Sequence, residues 1–284
     1  MVKIARYNGG RIGVVAEDQI HDVTAACGVD PAEWPPVGIV RVIANFAQLR
    51  PAIEAAAKAA PGIPFASVHV DTPIPWPHKL LALPANFRAH HAEMGGGGNT
   101  ASEAGFFMKS NGSLSGASDP IRLPDRPGRD MHHECEIAIV IGTGGRDIPR
   151  DRALDHVFGY ACLLDITMRG KEERVMRKSF DTFCPVGPYI TTADEAGDPD
   201  TIAMRLWVNG KLRQEAPTTD MIVGIREAIA QISAVTTLVP GDIIASGTMS
   251  GVGPIEPGDK VTIEVDRVGK MTVDVVADEV PSAV

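Results

Sequence analysis

From Lys3 to Val15 apolar and polar residues alternate on either side of Asn8-Gly9-Gly10, the period of two half-buried strands around a turn, which predicts a hairpin. The spacing then changes. Between Gly38 and Ala60 the apolar positions Ile39, Val42, Ile43, Phe46, Leu49 and Ile53 recur with the period of a helix, expected to cover a small sheet and to be broken or re-entered at Pro51. Thr72-Pro73-Ile74-Pro75-Trp76-Pro77 can continue neither element and reads as a linker. A boundary is placed there, between a small N-terminal α/β domain of residues 1–72 and a larger domain of residues 73–284.

Beyond the linker come a short apolar strand at residues 80–83, a strand at 106–109 that ends in the cation Lys109, and then His132-His133-Glu134-Cys135-Glu136-Ile137-Ala138-Ile139-Val140-Ile141-Gly142, whose apolar half reads as a strand. Residues 158–164 are apolar on both faces, the pattern of a fully buried strand, and Asp165 ends them. The charge-dense segment 168–177 reads as helix-like. Residues 203–208 lead through Asn209-Gly210 into a second hairpin, residues 221–235 have helical spacing through Ile225, Ile229 and Ile232, and two final strands are expected at 261–265 and 270–276. The fold class is therefore mixed and β-rich (α+β). Twenty-nine glycines and 22 prolines against 5% aromatics agree, since they favour many short elements joined by tight turns.

Charge narrows the function classes. A net charge of −9 without long acidic runs argues against nucleic acid or an anionic membrane as partner, so an anionic substrate would need cations supplied locally. The four cysteines are widely spaced with no C-x-x-C pair, which disfavours a zinc knuckle or a compact disulfide framework. The N-terminus lacks the apolar stretch of a signal peptide, and no apolar run approaches the ~20 residues of a membrane span, so a cytoplasmic protein is expected.

Side chains two apart on a strand share a face, so Glu134 and Glu136 point the same way, together with Ala138 and Val140. Two carboxylates on a face that turns apolar either reach water at a sheet edge or hold a cation between them. Asp165 either joins them or caps the segment that follows. The three together form an all-oxygen donor set, suited to Mg²⁺, Mn²⁺ or Ca²⁺ far better than to zinc. His90 and Glu93, three apart, would be neighbours on one helical turn, either as a general base oriented by a carboxylate or as an incidental surface pair. The glycine run 95–98 suits a mobile lid or a loose loop. Lys178 stands among apolar and turn residues, and with Lys109 and Arg169 it would balance an anionic, metal-chelating substrate such as a 2-oxo acid.

Asn86-x-x-x-His90-x-x-Glu93, Phe107-x-Lys109, Glu134-x-Glu136, Gly159-Tyr160 with Asp165, Lys178-Ser179-Phe180-Asp181, Gly187-Pro188, Val208-Asn209-Gly210, Leu238-x-Pro240-Gly241-Asp242 and Gly247-Thr248-x-x-Gly251-Val252-Gly253 occur in one order. This set resembles the fumarylacetoacetate hydrolase family, over residues 78–276, and is like its acylpyruvate hydrolases and 2-hydroxyhepta-2,4-diene-1,7-dioate isomerases. The resemblance implies a mixed β-sandwich roll, a small variable N-terminal domain and a homodimer. It implies a metal held by Glu134, Glu136 and Asp165, catalytic roles for His90, Glu93 and Lys178, and substrate contacts from Arg169 and Thr248. Phe87, Ser110, Ser246 and Met249 depart from the family pattern, as does the absence of a Gln after the Arg169 position; these leave the metal set intact and bear on substrate identity.

The activity implied is hydrolysis of a carbon–carbon bond in an acylpyruvate-type 2,4-dioxo acid, such as fumarylpyruvate or a related intermediate of aromatic-compound breakdown. The same chemistry without water would make a 2-oxo acid decarboxylase, or an isomerase or hydratase of a 2-hydroxymuconate-type diacid. A non-catalytic protein that binds a metal or a small acid is the reading from another class.

Overall fold

The structure is a computed structural model in which residues 2–96 and 99–278 are described. Two positions of the glycine run, Gly97 and Gly98, lie outside the described residues. Among the described residues one 12-stranded sheet dominates, beside a 5-stranded sheet and a 3-stranded one. The mixed, strand-rich class expected from the hydrophobic pattern is the one observed.

The large sheet runs in the order Gly62–Pro64, Gln19–Asp22, Arg11–Ala16, Lys3–Tyr7, Cys184–Thr192, Val157–Leu164, Cys135–Ile141, Ile243–Ala245, Leu80–Ala82 and Phe107–Met108. Its first four strands come from the N-terminal segment. They join the rest through Lys3 opposite Thr191 and Ile4 opposite Ile190, so the predicted hairpin is hydrogen-bonded directly onto the sheet that carries the later strands. Residues 72–79 have no regular structure.

The two central strands show why their sequences are apolar on both faces. Ile137, Ile139 and Ile141, with Tyr160, Cys162 and Leu164, pack into one core with Met204, Leu206, Val261, Ile263 and the helix Ile225–Val235. Ala138, Val140, Ala161 and Leu163 face the opposite way, into a second core with Ile39, Val42, Ile43 and Ile53 of the N-terminal helices. One face of the sheet is thus covered by the 5-stranded sheet and a helix, the other by the helices Gly38–Ala44 and Phe46–Ala59. Burying all seven residues of Cys135–Ile141 removes the strand from water on both sides and makes it the rigid floor on which its acidic residues stand.

Two local expectations are corrected. The N-terminal helix breaks at Asn45, whose side-chain amide donates to the Arg41 carbonyl at 2.9 Å, while Pro51 is accommodated inside Phe46–Ala59. An amide side chain that competes for a helical carbonyl ends the first helix. The segment expected as helix over 168–177 contains only the short helix Arg174–Arg177, preceded by the strand Thr167–Met168. Arg129 supplies the reason: its guanidinium donates to the Arg169 carbonyl at 2.8 Å and to both Glu172 oxygens at 2.8 and 2.7 Å, satisfying this stretch outside a helix.

Candidate active site

Glu136 lies within the strand Cys135–Ile141 and Glu134 in the residue just before it, so strand alternation turns both to the face shared by Ala138 and Val140. The neighbouring strand Val157–Leu164 is antiparallel with Cys135 opposite Leu164, and one step further Asp165 lies across from Glu134, donating its N–H to the Glu134 carbonyl at 3.0 Å. All three carboxylates are buried, and they offer oxygens that lie within 4.8 Å of one another. They line a cavity of about 140 Å³ with His90, Thr167, Arg169, Lys178 and Thr248.

The surrounding cations do not serve the three acids equally. The Lys178 ammonium donates to Glu134 at 2.8 Å, to Asp165 at 2.6 Å and to the Thr167 hydroxyl at 2.6 Å. Burial alone would lower its pKa, but the charges of Asp165, Glu134 and Glu136 reverse this and raise it, so Lys178 stays an ammonium. Burial likewise pushes the Glu134 carboxyl up, and Lys178 and Arg169 outweigh it and bring it down to about 2. Lys109, expected among the substrate-binding cations, stands behind Asp165 with its side chain fully buried, paired to that carboxylate and donating to the Phe183 carbonyl at 3.1 Å. It steadies Asp165 from outside the cavity.

Glu136 is the exception. Among the described residues its one hydrogen bond is from the Gly247 N–H, at 2.8 Å, and neither lysine reaches it. Burial and the neighbouring charge of Asp165 raise its carboxyl well above the usual range. An acid so placed stays ionised only beside a further cation. The donor set is all oxygen, and its spacing can be spanned by one ion with bonds of about 2.1 to 2.4 Å, so the residues present fit a hard divalent metal.

His90 is buried on the helix Arg88–Glu93 and lines the same cavity. Its Nδ1 is 3.0 Å from Glu93 Oε2, and Glu93 Oε1 accepts the Gly251 N–H at 2.9 Å. The spacing of three thus forms a held pair, with Nε2 left as the ring nitrogen available for proton transfer. Arg169 reaches the site from its rim: Nε donates to His132 Nδ1 at 2.9 Å and Nη1 is 3.8 Å from Glu134. Burial, and then Arg169, hold the His132 pKa down at about 4, which keeps that ring a neutral acceptor.

The helix bearing His90 is tied to the turn bearing Thr248 by Asn86, which is fully buried. Its side-chain amide donates to Val223 O at 3.0 Å and Ser246 O at 2.7 Å, and its carbonyl accepts from Val223 N at 2.8 Å. Asn86→Ala is expected to lose about 3 kcal/mol of stability, because an N–H and two carbonyls are left buried without partners. Urea denaturation of the two proteins measures it, and a change below about 0.5 kcal/mol would contradict it.

Residues 79–276 match the family described as Fumarylacetoacetate (FAA) hydrolase C-terminal. The chain belongs to the fumarylacetoacetate hydrolase family. Among its relatives in this family, the maleylpyruvate hydrolase of Aquipseudomonas alcaligenes is 41% identical over 283 residues, covering 96% of this chain and 98% of the relative. The crystal structure of maleylpyruvate hydrolase from Sphingobium sp. SYK-6, in complex with manganese(II) ion and pyruvate, superposes with a TM-score of 0.90 at 50% identity and covers 98% of this chain and all of that one. A probable 2-hydroxyhepta-2,4-diene-1,7-dioate isomerase from Mycobacterium abscessus has a TM-score of 0.81 at 30% identity, over 98% of this chain and 99% of its own.

Some of the site lay outside the sequence reading. Thr167 donates to Glu134 at 3.0 Å; lying two residues after Asp165, it could have been found by the same alternation. Gln214 could not. From the 5-stranded sheet its Oε1 accepts from the Cys135 N–H at 3.1 Å and lies 3.0 Å from His133 Nδ1, while its Nε2 donates to the Thr248 hydroxyl at 2.8 Å. That hydroxyl in turn donates to the Cys135 carbonyl at 2.9 Å, so Thr248 lines the cavity with its orientation set from behind.

Proposed function

We propose that this chain is a divalent-metal hydrolase that cleaves the carbon–carbon bond of an acylpyruvate-type 2,4-dioxo acid, adding water to release pyruvate and a carboxylic acid. One observation carries the reading: the cation-ready triad Glu134, Glu136 and Asp165 opens into the same small cavity as His90, whose ring Glu93 holds through Nδ1. The family, with its maleylpyruvate hydrolase relatives, supports it.

Glu134, Glu136 and Asp165 would hold Mg²⁺ or Mn²⁺, with Ca²⁺ as a weaker substitute, and the bound ion would supply a Lewis acid for the 2-oxo acid end of the substrate. His90, oriented through Nδ1 by Glu93, takes a proton from water at Nε2 so that the oxygen can attack the more distant carbonyl. Lys178 and Arg169 face the negative charge that develops on the departing fragment. Lys109 keeps Asp165 in place, and Thr248 offers a fixed hydroxyl at the cavity wall. We read the protein as a homodimer of the cytoplasm in which residues 1–72 form the small domain; among the described residues no helix is long and apolar enough to cross a membrane.

Treatment with a chelator is expected to abolish turnover, and Mn²⁺ or Mg²⁺ to restore it. Incubation of the Mn²⁺-loaded protein with maleylpyruvate and fumarylpyruvate, following pyruvate by a coupled dehydrogenase, tests the reaction. Release of pyruvate in step with substrate loss is expected. Conversion of a 2-hydroxymuconate-type diacid without pyruvate release would instead support the isomerase reading, for which the similarity to the probable isomerase speaks.

A further inference from the structure

We propose that Arg174 and Arg177 are the specificity-determining residues that receive the distal carboxylate of the substrate, the group that sets a diacid such as maleylpyruvate, for which relatives are named, apart from a monocarboxylic acylpyruvate. The inference rests on the acylpyruvate reading above and adds to it which side chains meet the far end of the substrate.

Both arginines line the cavity that holds the carboxylate triad, yet neither is committed to an acid of the protein. Arg177 Nε donates to the Glu172 carbonyl at 2.7 Å and its Nη1 to the Met168 carbonyl at 3.4 Å, both neutral acceptors. Those bonds fix the guanidinium while leaving its charge unpaired. Of the two carboxylates that act on it, Glu134 is engaged by Lys178 and Thr167, and Glu172 is held on both oxygens by Arg129. Arg174, one helical turn earlier on Arg174–Arg177, has no hydrogen bond or ion pair to another side chain among the described residues. Burial and the neighbouring guanidiniums of Arg169 and Arg174 pull the Arg177 guanidinium below its usual value, so like charges are gathered here at a cost.

The charges of the lining give the direction of selection. With all three carboxylates ionised, Arg169, Arg174, Arg177 and Lys178 exceed them by one positive charge. A divalent ion at the triad raises that surplus to three. A substrate whose single carboxylate sits at the 2-oxo end neutralises one of these charges and leaves the two outer guanidiniums without a partner in a partly desolvated cavity. A second carboxylate would pair with them, and a planar guanidinium fork matches a carboxylate geometrically. The burial of the lining is consistent: the three carboxylates of the triad are buried, whereas Arg177 is half-buried and Arg174 exposed in the wall of the same cavity.

The test compares 2-oxoheptanedioate with 2-oxoheptanoate, which differ only in the distal carboxylate, by calorimetric titration into Mn²⁺-loaded protein. Wild type is expected to bind the diacid at least about tenfold more tightly, as for a charge-assisted hydrogen-bonded pair. In Arg174→Met that preference should fall to within about threefold, with Mn²⁺ affinity retained; Arg177→Gln, which keeps a donor amide, should lower it in the same direction. Equal affinity of wild type for the two acids would overturn the proposal, as would an Arg174→Met protein that keeps the full preference or weakens both acids alike. Failure of the subsite and failure of the hydrolase reading are separable. A diacid preference without pyruvate release from maleylpyruvate sinks the reaction and keeps the subsite, whereas pyruvate release without a diacid preference sinks the subsite alone.

Discussion

Glu136→Gln is expected to abolish turnover and to weaken Mn²⁺ binding by well over about a hundredfold, since losing merely a supporting partner of a metal ligand already costs 10 to 100-fold. The substitution conserves volume, and an amide oxygen can still accept the Gly247 N–H, so the strand and its surroundings have no reason to move. What is removed is the one carboxylate that no lysine reaches, the charge that calls for a metal. The metal-free variant should therefore melt no lower than the metal-free wild type, because a buried unpaired acid has been replaced by a neutral group. Calorimetry with Mn²⁺ and a thermal melt measure both effects. A variant that keeps wild-type metal affinity and turnover would remove the metal-site reading altogether.

His90→Asn should act on a different step. Loss of a positioned general base costs a factor of about 10² to 10⁴ in kcat. Because His90 touches none of the three carboxylates by hydrogen bond, Mn²⁺ affinity and KM should change only a few-fold. Glu93→Gln should fall in the same direction by less, since the Gly251 N–H can still hold the side chain while the imidazole loses its anionic partner. Steady-state kinetics alongside metal titration separate the two. If His90→Asn lost metal affinity in proportion to kcat, the imidazole would be acting through the ion site and not as a base.

The two predictions draw on parts of the sequence that were legible to different degrees. Strand alternation alone places Glu134 and Glu136 on the face of Ala138 and Val140, and an apolar run buried on both faces delivers Asp165 to the end of its strand. A spacing of three on a helical turn makes His90 and Glu93 neighbours. These relations are local, governed by backbone periods over a few residues, and the ordered motifs that identify the family are built from them.

The remainder depends on which distant segments pack together. That Lys109 backs Asp165 across 56 residues, that Gly247 caps Glu136 across 111, and that Gln214 crosses from the other sheet to orient Thr248 follow from strand order and not from any period. The helix expected over 168–177 gave way because Arg129, outside that segment, satisfied its polar groups in another conformation. Sequence by itself determined the chemistry on each face of each element, since side-chain direction is a property of the local backbone. Tertiary structure alone decided that Glu136 is the acid without a lysine and that Arg174 and Arg177 look into its cavity, because charge compensation is settled only when elements far apart in the chain have docked.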